Sequence, residues 1–262
     1  MISLKDRYGS FALITGASSG IGEEFAKRLA SDGMNLILVA RRKERLEKVK
    51  QEIGITSNVE IILAPLDLLA DNFLDELKGF VADKEIGMLI NNAGFGYRGE
   101  FINSNSVNEA NMVKLNCVVP IILTHYFVKQ MVDRKKGAII FLASLVAFQP
   151  TPTTTTYAAT KAFNGFLSDG LWYELKKHNI DVLSLNPGGT ATEFQAVANS
   201  TPGPFPRTTK QVVATAMKSL GKKPSVIDGF YNKVLVVASR FIPRKLTVLI
   251  AGKISESLYR KN

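Results

Sequence analysis

The sequence predicts an α/β fold, a doubly wound parallel sheet in a single domain spanning residues 1–262, on three observations. Short continuous apolar runs alternate with helical patterns from end to end, the signature of repeated strand–helix–strand units. The first apolar run ends in a glycine-rich turn that leads straight into a helical pattern. The chain's 262 residues, 46% hydrophobic and 21% charged, suffice for one large core and are too few for two ordinary domains with a linker.

Taken in order, the apolar runs at residues 11–15, 36–40, 59–64, 88–91, 138–144 and 181–186 read as strands. They are unbroken rather than alternating, as strands covered on both faces must be. Between them Ile21, Phe25 and Leu29, then Leu46, Val49 and Ile53, then Phe73, Leu77 and Phe80 recur at helical spacing. The Pro-rich stretch 200–207 reads as a loop, inside a segment, 193–225, expected to act as a substrate lid. Residues 230–262 are expected to be helical, with Pro243 stopping one helix and a second running from about 244 to 259.

Composition excludes several classes. An ordinary globular balance without repeats rules out disorder and collagen-like or low-complexity chains. One cysteine, Cys117, cannot form an intramolecular disulfide and reads as a packed small residue. Residues 1–10 carry Lys5, Asp6 and Arg7 and lack the apolar stretch of a signal peptide. No apolar run approaches the roughly 18 residues of a spanning helix, so a soluble, cytoplasmic protein is expected. His125 and His178 have no partner at ligand spacing, and no metal site is expected.

The net charge is +10, and half of it comes from Arg240, Arg244, Lys245, Lys253, Arg260 and Lys261 set against Glu256. Such a surplus suits phosphorylated ligands or an anionic membrane surface. Without an aromatic-interleaved basic patch, nucleic acid is not an expected partner.

The turn after the first strand reads Thr15-Gly16-Ala17-Ser18-Ser19-Gly20-Ile21-Gly22. Glycines there let a pyrophosphate approach a helix N-terminus, where free N–H groups favour anions. Any strand-to-helix turn can use glycine, but a position after a buried first strand favours a dinucleotide. At the end of the second strand an acidic residue would bind ribose hydroxyls, whereas arginine suits a 2′-phosphate. The chain has Arg41, Arg42 and Lys43 there, with no carboxylate before Glu44, so NADP(H) is expected. The plainer reading is that these cations open a solvated helix. Asn91-Asn92-Ala93-Gly94 closes the fourth strand, where ligands bind in open sheets, or forms a simple turn.

Tyr157 and Lys161, four residues apart, lie on one helical face. A nearby ammonium lowers a phenol's pKa from about 10 and makes it a usable proton donor, although the same spacing occurs by chance on many helices. Ser144, ending the fifth strand, is placed to hydrogen-bond the same substrate oxygen.

These pieces occur in the order in which the short-chain dehydrogenase/reductase family carries them, and the sequence resembles a compact single-domain, Rossmann-type member over nearly its whole length. The matching residues are Thr15 to Gly22, Asp67, Asn91 to Gly94, Asn116, Ser144, Tyr157 with Lys161, and Pro187-Gly188. The resemblance implies a cofactor held by Gly16, Ser18, Ser19, Gly20, Ile21, Gly22, Arg41, Arg42, Asn92, Ala93 and Gly94, with Asp67 beside the adenine. It implies that Lys161 holds the nicotinamide ribose and lowers the pKa of Tyr157. Ser144 would orient the carbonyl, and Asn116 would position a water relaying protons to Lys161. Pro187, Gly188, Thr190 and Thr192 would form the carboxamide- and phosphate-binding segment, with Thr190 standing where many members have Val or Ile. The stretch from Asn91 to Gly96 and the arginine strand end resemble the branch with steroid- and long-chain ketoacyl-type reductases.

The expected function is therefore an NADP(H)-dependent oxidoreductase moving a hydride between nicotinamide and a carbonyl or alcohol substrate, an apolar ketone or aldehyde. A non-catalytic NADP-sensing module or a lipid-associated binding protein would not need Asn116, Ser144, Tyr157 and Lys161 together. A homodimer or homotetramer is expected through the helices after Ser104 and Tyr157, since Phe163, Phe166, Leu167, Leu171 and Trp172 exceed one apolar stripe. In the last helix Leu246, Leu249, Ile250, Ile254 and Leu258 are expected to close over the cleft or a subunit partner, or to make a weak peripheral contact with anionic lipid.

Overall fold

The computed structural model describes residues 3–194, 198 and 206–259, without the side chains of 257–259. In chain order its first half runs α1 (Leu4–Tyr8), β1 (Phe11–Thr15), α2 (Gly20–Ser31), β2 (Asn35–Ala40), α3 (Lys43–Gly54), β3 (Ile61–Pro65), α4 (Phe73–Val81), β4 (Ile86–Asn91) and α5 (Ser106–Val113). A π-helical turn, Lys114–Val118, leads into α6 (Val119–Arg134). Then follow β5 (Gly137–Leu142), a 3-10 turn (Leu145–Phe148), α7 (Thr155–Lys176), β6 (Ile180–Asn186), α8 (Thr209–Ser219), β7 (Ser225–Ile227), α9 (Phe230–Ser239) and α10 (Arg244–Tyr259).

The strands form one parallel sheet in the order β3-β2-β1-β4-β5-β6-β7. Leu13 of β1 faces Ile37 of β2 on one side and Leu89 of β4 on the other. The chain's strand order reverses between β1 and β4, which opens a crevice at their C-terminal ends. Strand residues alternate between two cores. Ala12, Ile14, Leu36, Leu38, Met88 and Ile90 pack with Phe25 and Leu29 of α2 and Leu46 of α3. Leu13, Ile37, Val39, Leu89, Ile139 and Phe141 pack with Leu77 of α4 and Leu123, Phe127 and Met131 of α6. This double coverage is why the strands read as unbroken apolar runs.

The structure departs from the expected elements in four places. Ser144 lies outside β5 and caps the 3-10 turn, its Oγ accepting from Val146 N at 3.4 Å. The segment 193–225 is not all lid: Val212, Val213 and Ala216 of α8 are buried in the core beside α2, and β7 extends the sheet beyond β6. Residues 195–197 and 199–205, which include most of the expected loop, lie outside the described residues. The third departure is the run Ser106–Arg134, whose 29 residues reach a mean hydropathy of 1.3 in an 18-residue window, enough by length and composition to cross a bilayer. That run lies along the sheet, with Val119, Leu123, Phe127 and Met131 buried.

The fourth concerns α10. Pro243 separates it from α9, as expected, but its inward face is Thr247, Ala251 and Ser255. Leu246, Leu249, Ile250 and Ile254 are exposed, so the expected stripe is not packed into the core, although Ile254 borders a cavity beside Leu145 and Val146; the Leu258 side chain lies outside the described residues. Small residues face inward because α10 approaches closely: Thr153 Oγ1 and Ser255 Oγ are 2.6 Å apart.

Candidate active site

The crevice is built from the two strand ends beside it. Thr15 Oγ1 donates to Ile90 O at 3.2 Å and accepts from Asn92 N and Ala93 N, each at 3.0 Å. Asn92 Nδ2 donates to Thr15 O at 2.8 Å and Gly16 O at 3.2 Å. These bonds clamp the glycine-rich turn to the loop after β4. Gly16 has φ +67°, and a Cβ there would lie 2.8 Å from Asn92 Nδ2, so both backbone and space require glycine. Ser19 is an extended N-cap that makes no side-chain capping bond, leaving the first-turn N–H groups of α2, at Gly20, Ile21 and Gly22, available to an anion.

Charge surrounds that turn. Arg42, the N-cap residue of α3, donates through Nη2 to Ser18 Oγ at 3.3 Å and to Glu193 at 3.2 Å. Arg45 reaches the other Glu193 oxygen at 2.8 Å. The two guanidinium groups hold the Glu193 carboxyl below its ordinary range. Arg41 is exposed beside them at the end of β2. Leu66 N donates to Ala40 O at 3.2 Å, which keeps the exposed Asp67, its Oδ1 accepting from Leu69 N at 3.0 Å, next to the same strand end.

Across the crevice, Leu145 N donates to Pro187 O at 2.9 Å, joining Pro187 and Gly188 to the residue after Ser144. Thr190 Oγ1 donates to Gly188 O at 3.2 Å, and Thr192 lies over Gly20, its Cγ2 3.2 Å from where a Cβ would stand. An isolated parallel bridge pairs Thr190 with Arg207. Arg207 is itself fixed by a two-pronged pair to the fully buried Asp228, at 2.9 and 3.2 Å.

Tyr157, Lys161, Ser144 and Asn116 gather between these walls. The buried Lys161 ammonium donates to Leu142 O at 2.6 Å and lies 5.6 Å from the Tyr157 ring centroid. Burial lowers its pKa to about 8. Burial also pushes the Tyr157 phenol up to about 12, opposed by a hydrogen bond with Ser144. The expectation that Lys161 brings the phenol below its ordinary value does not hold here: desolvation dominates, although the ammonium stands under the Tyr157 ring.

Asn116 sits fully buried in the π turn, a wider helical turn of a kind frequent at functional sites. Its Oδ1 accepts from Phe95 N at 3.1 Å, and its Nδ2 donates to Phe95 O at 2.9 Å and Thr160 Oγ1 at 3.0 Å. The side chain therefore fixes the loop after β4 to α7. Gly94 lies against it: a Cβ there would be 2.8 Å from Asn116 Oδ1 and 3.7 Å from Lys161 Nζ.

Comparison with known proteins agrees with this arrangement. The sequence model of the short chain dehydrogenase family matches residues 10–203. The chain belongs to that family.

Among its relatives is the very-long-chain 3-oxoacyl-CoA reductase of Bos taurus, 32% identical over 248 residues that cover 93% of this chain and 78% of that protein. Hydroxysteroid dehydrogenase-like protein 1 of Gallus gallus is 36% identical over 204 residues, covering 76% of this chain and 61% of that one. The human protein named inactive hydroxysteroid dehydrogenase-like protein 1 is 30% identical, covering 97% and 79%. A solved short-chain dehydrogenase from Sphingobium yanoikuyae, in complex with NADPH, is 30% identical with a TM-score of 0.79, covering 88% of this chain and 93% of that one.

Several residues of this short-chain dehydrogenase escaped the sequence reading. Thr15 was in the motif without a role, yet it ties both strand ends together. Thr160, inside the Tyr157–Lys161 spacing, is the anchor for Asn116. Phe194 places its ring 5.4 Å from that of Tyr157, tilted by 43°, and Glu193 pairs with Arg42. No local pattern marks either, because both come from a distant segment.

Proposed function

We propose that the protein is an NADP(H)-dependent reductase of apolar ketones or aldehydes, running in reverse as an alcohol dehydrogenase. The observation that carries this reading is the convergence of Ser144, Tyr157 and Lys161 on the crevice whose other end holds the glycine-rich turn and Arg42. Those residues fit a dinucleotide. The turn at Gly16 and Gly20 leaves backbone N–H groups for a pyrophosphate, and Arg41 and Arg42 offer guanidinium groups to a 2′-phosphate. Asp67, Asn92, Ala93 and Gly94, with Pro187, Gly188, Thr190 and Thr192, line the path between. When bound, the nicotinamide supplies or accepts the hydride.

The chain's own groups handle the proton. Tyr157, with a pKa near 12, keeps its hydrogen at neutral pH and is a donor to an oxygen on which charge develops. Ser144 Oγ, beside it, orients that oxygen. Lys161 supplies positive charge under the phenol and a donor for a ribose hydroxyl, and Asn116 positions a water on the route to Lys161. Phe163 and Phe166 on α7, with Val113, Val118 and Ile121 on the α5–α6 run, are exposed and support a homo-oligomer through those helices.

A turnover screen of ketones, aldehydes and acyl thioesters with NADPH and NADH tests the reading, with the Tyr157→Phe protein as control. Oxidation of NADPH that depends on a carbonyl substrate and on Tyr157 is expected. Tight NADPH binding with no turnover would favour the cofactor-sensing alternative.

A further inference from the structure

A cavity of about 130 Å³ opens beside the proposed catalytic centre, lined by Arg98, Leu145, Val146, Gln149, Thr151, Ala251, Ile254 and Ser255. Leu145 and Val146 directly follow Ser144. Arg98 lies two residues after Gly96, where a Cβ would lie 2.9 Å from Tyr157 Cδ2. The cavity is thus walled by the two residues that follow Ser144 and by the loop that packs on Tyr157, and α10 closes one side with Ala251, Ile254 and Ser255.

Arg98 is the anomaly of this cavity. Its Nε and Nη1 are buried without a hydrogen-bond partner, although the side chain as a whole is only half-buried, and no acidic group among the described residues pairs with it. Arg134, whose Nε is also unpartnered, differs in having Ile86 O at 2.8 Å from Nη2 and the Glu85 carboxylate beside it. A guanidinium cannot shed its proton in a protein, and a buried unpaired charge is costly. Burial disfavours the charged form of Arg98, and no neighbouring acid offsets it.

The unpartnered edge of the guanidinium, lining this cavity, suits an anion. The planar guanidinium fork matches a carboxylate, and a cavity a few water molecules in size leaves room for that group and a short stretch of carbon chain against Leu145, Val146, Ala251 and Ile254. We propose that Arg98 binds the carboxylate of an otherwise apolar oxo acid whose carbonyl is presented to Ser144 and Tyr157. This rests on the reductase reading and names its substrate class.

The test compares an oxo acid with its methyl ester, and with a phosphate monoester of equal length, using the full chain and NADPH. The wild-type protein is expected to show a KM for the acid at least about ten-fold below that for the ester. Arg98→Gln should raise the acid's KM roughly thirty-fold more than the ester's, the scale on which losing one side of a buried charge pair weakens binding. Arg98→Lys should recover part of that loss. Calorimetric titration of a saturated carboxylic acid and its amide into the NADP⁺-loaded protein reads the same site without turnover, and only the acid should bind through Arg98. Ester reduced as well as acid, or Arg98→Gln harming both alike, overturns the assignment while leaving the reductase reading in place. Preference for the phosphate ester overturns the carboxylate. Arg98-dependent acid binding with no carbonyl reduced overturns the reductase reading and keeps the anion site.

Discussion

The carboxylate of Glu193 accepts a hydrogen bond from Arg42 Nη2 at 3.2 Å, the same nitrogen that reaches Ser18 Oγ at 3.3 Å. An acidic group of the chain thus occupies the cations proposed for the 2′-phosphate, so the two anions compete. Glu193→Gln should lower the Kd for NADPH by roughly two- to five-fold, the modest scale of exposed ion pairs, and leave NADH unaffected. The gain should shrink at high salt. Arg42→Asp should weaken NADPH and not NADH. Equal effects on both cofactors, measured by fluorescence titration, would remove Arg42 from the phosphate site.

Tyr157→Phe deletes the hydroxyl and keeps the ring against Phe194. Turnover should fall by about 10²–10⁴-fold, the range for loss of a general acid, with NADPH affinity nearly unchanged. Full activity on a genuine substrate would mean that another group delivers the proton.

Lys161 should oppose folding of the cofactor-free protein. Its pKa is about 8 when buried against an ordinary 10.5, so between those values the unfolded chain binds more protons. Stability from this group therefore rises with pH through that window, and the full cost of burying the charge is present below about pH 8. Lys161→Met should stabilise the protein at pH 7 by roughly 1–3 kcal/mol, with the advantage fading toward pH 10.5, while turnover is lost. Urea denaturation of both proteins at pH 7 and pH 10 measures it; a destabilised Lys161→Met protein at pH 7 contradicts the argument.

Leu246, Leu249 and Ile254 on α10 and Phe230 and Val237 on α9 are exposed, with Lys233, Arg240, Arg244, Lys245 and Lys253 exposed among them. Each basic residue contributes roughly 1 kcal/mol beside an anionic bilayer. The protein should co-sediment with anionic vesicles at low salt and not with neutral ones, and Leu249→Glu should abolish this. If it instead stays in solution and Leu249→Glu dissociates an oligomer in sedimentation, the face belongs to a second copy.

Tyr157, Lys161 and the glycine-rich turn were legible because their chemistry is local: a helical spacing and a strand-to-helix turn. The α8 helix was legible too, and unread. Thr208 and Gln211 form a capping box, and Val212, Val213 and Ala216 follow at core spacing. Arg98 and Glu193 could not be read, since each gains its meaning from segments far away in the chain. The α10 helix misleads the amphipathic rule outright, because close approach to Thr153 selects Ala251 and Ser255 for the inner face and turns the larger apolar residues out.

The π turn at Lys114–Val118 makes residue count, and not only residue identity, part of what is inherited at this site. Each residue of an α-helix turns the chain by about 100°, and the wider turn accommodates one more residue than regular winding would. Loss of a residue other than Asn116 between Val113 and Val119 would let the run wind regularly, leaving α5 and α6 in phase but moving Asn116 round the helix within the turn. Asn116 could no longer face both Phe95 and Thr160. A deletion of that kind, at a position other than Asn116, leaves every side chain of the proposed centre intact and would do as much harm as replacing Asn116 itself, so relatives that retain the centre should vary in sequence along this run far more readily than in length.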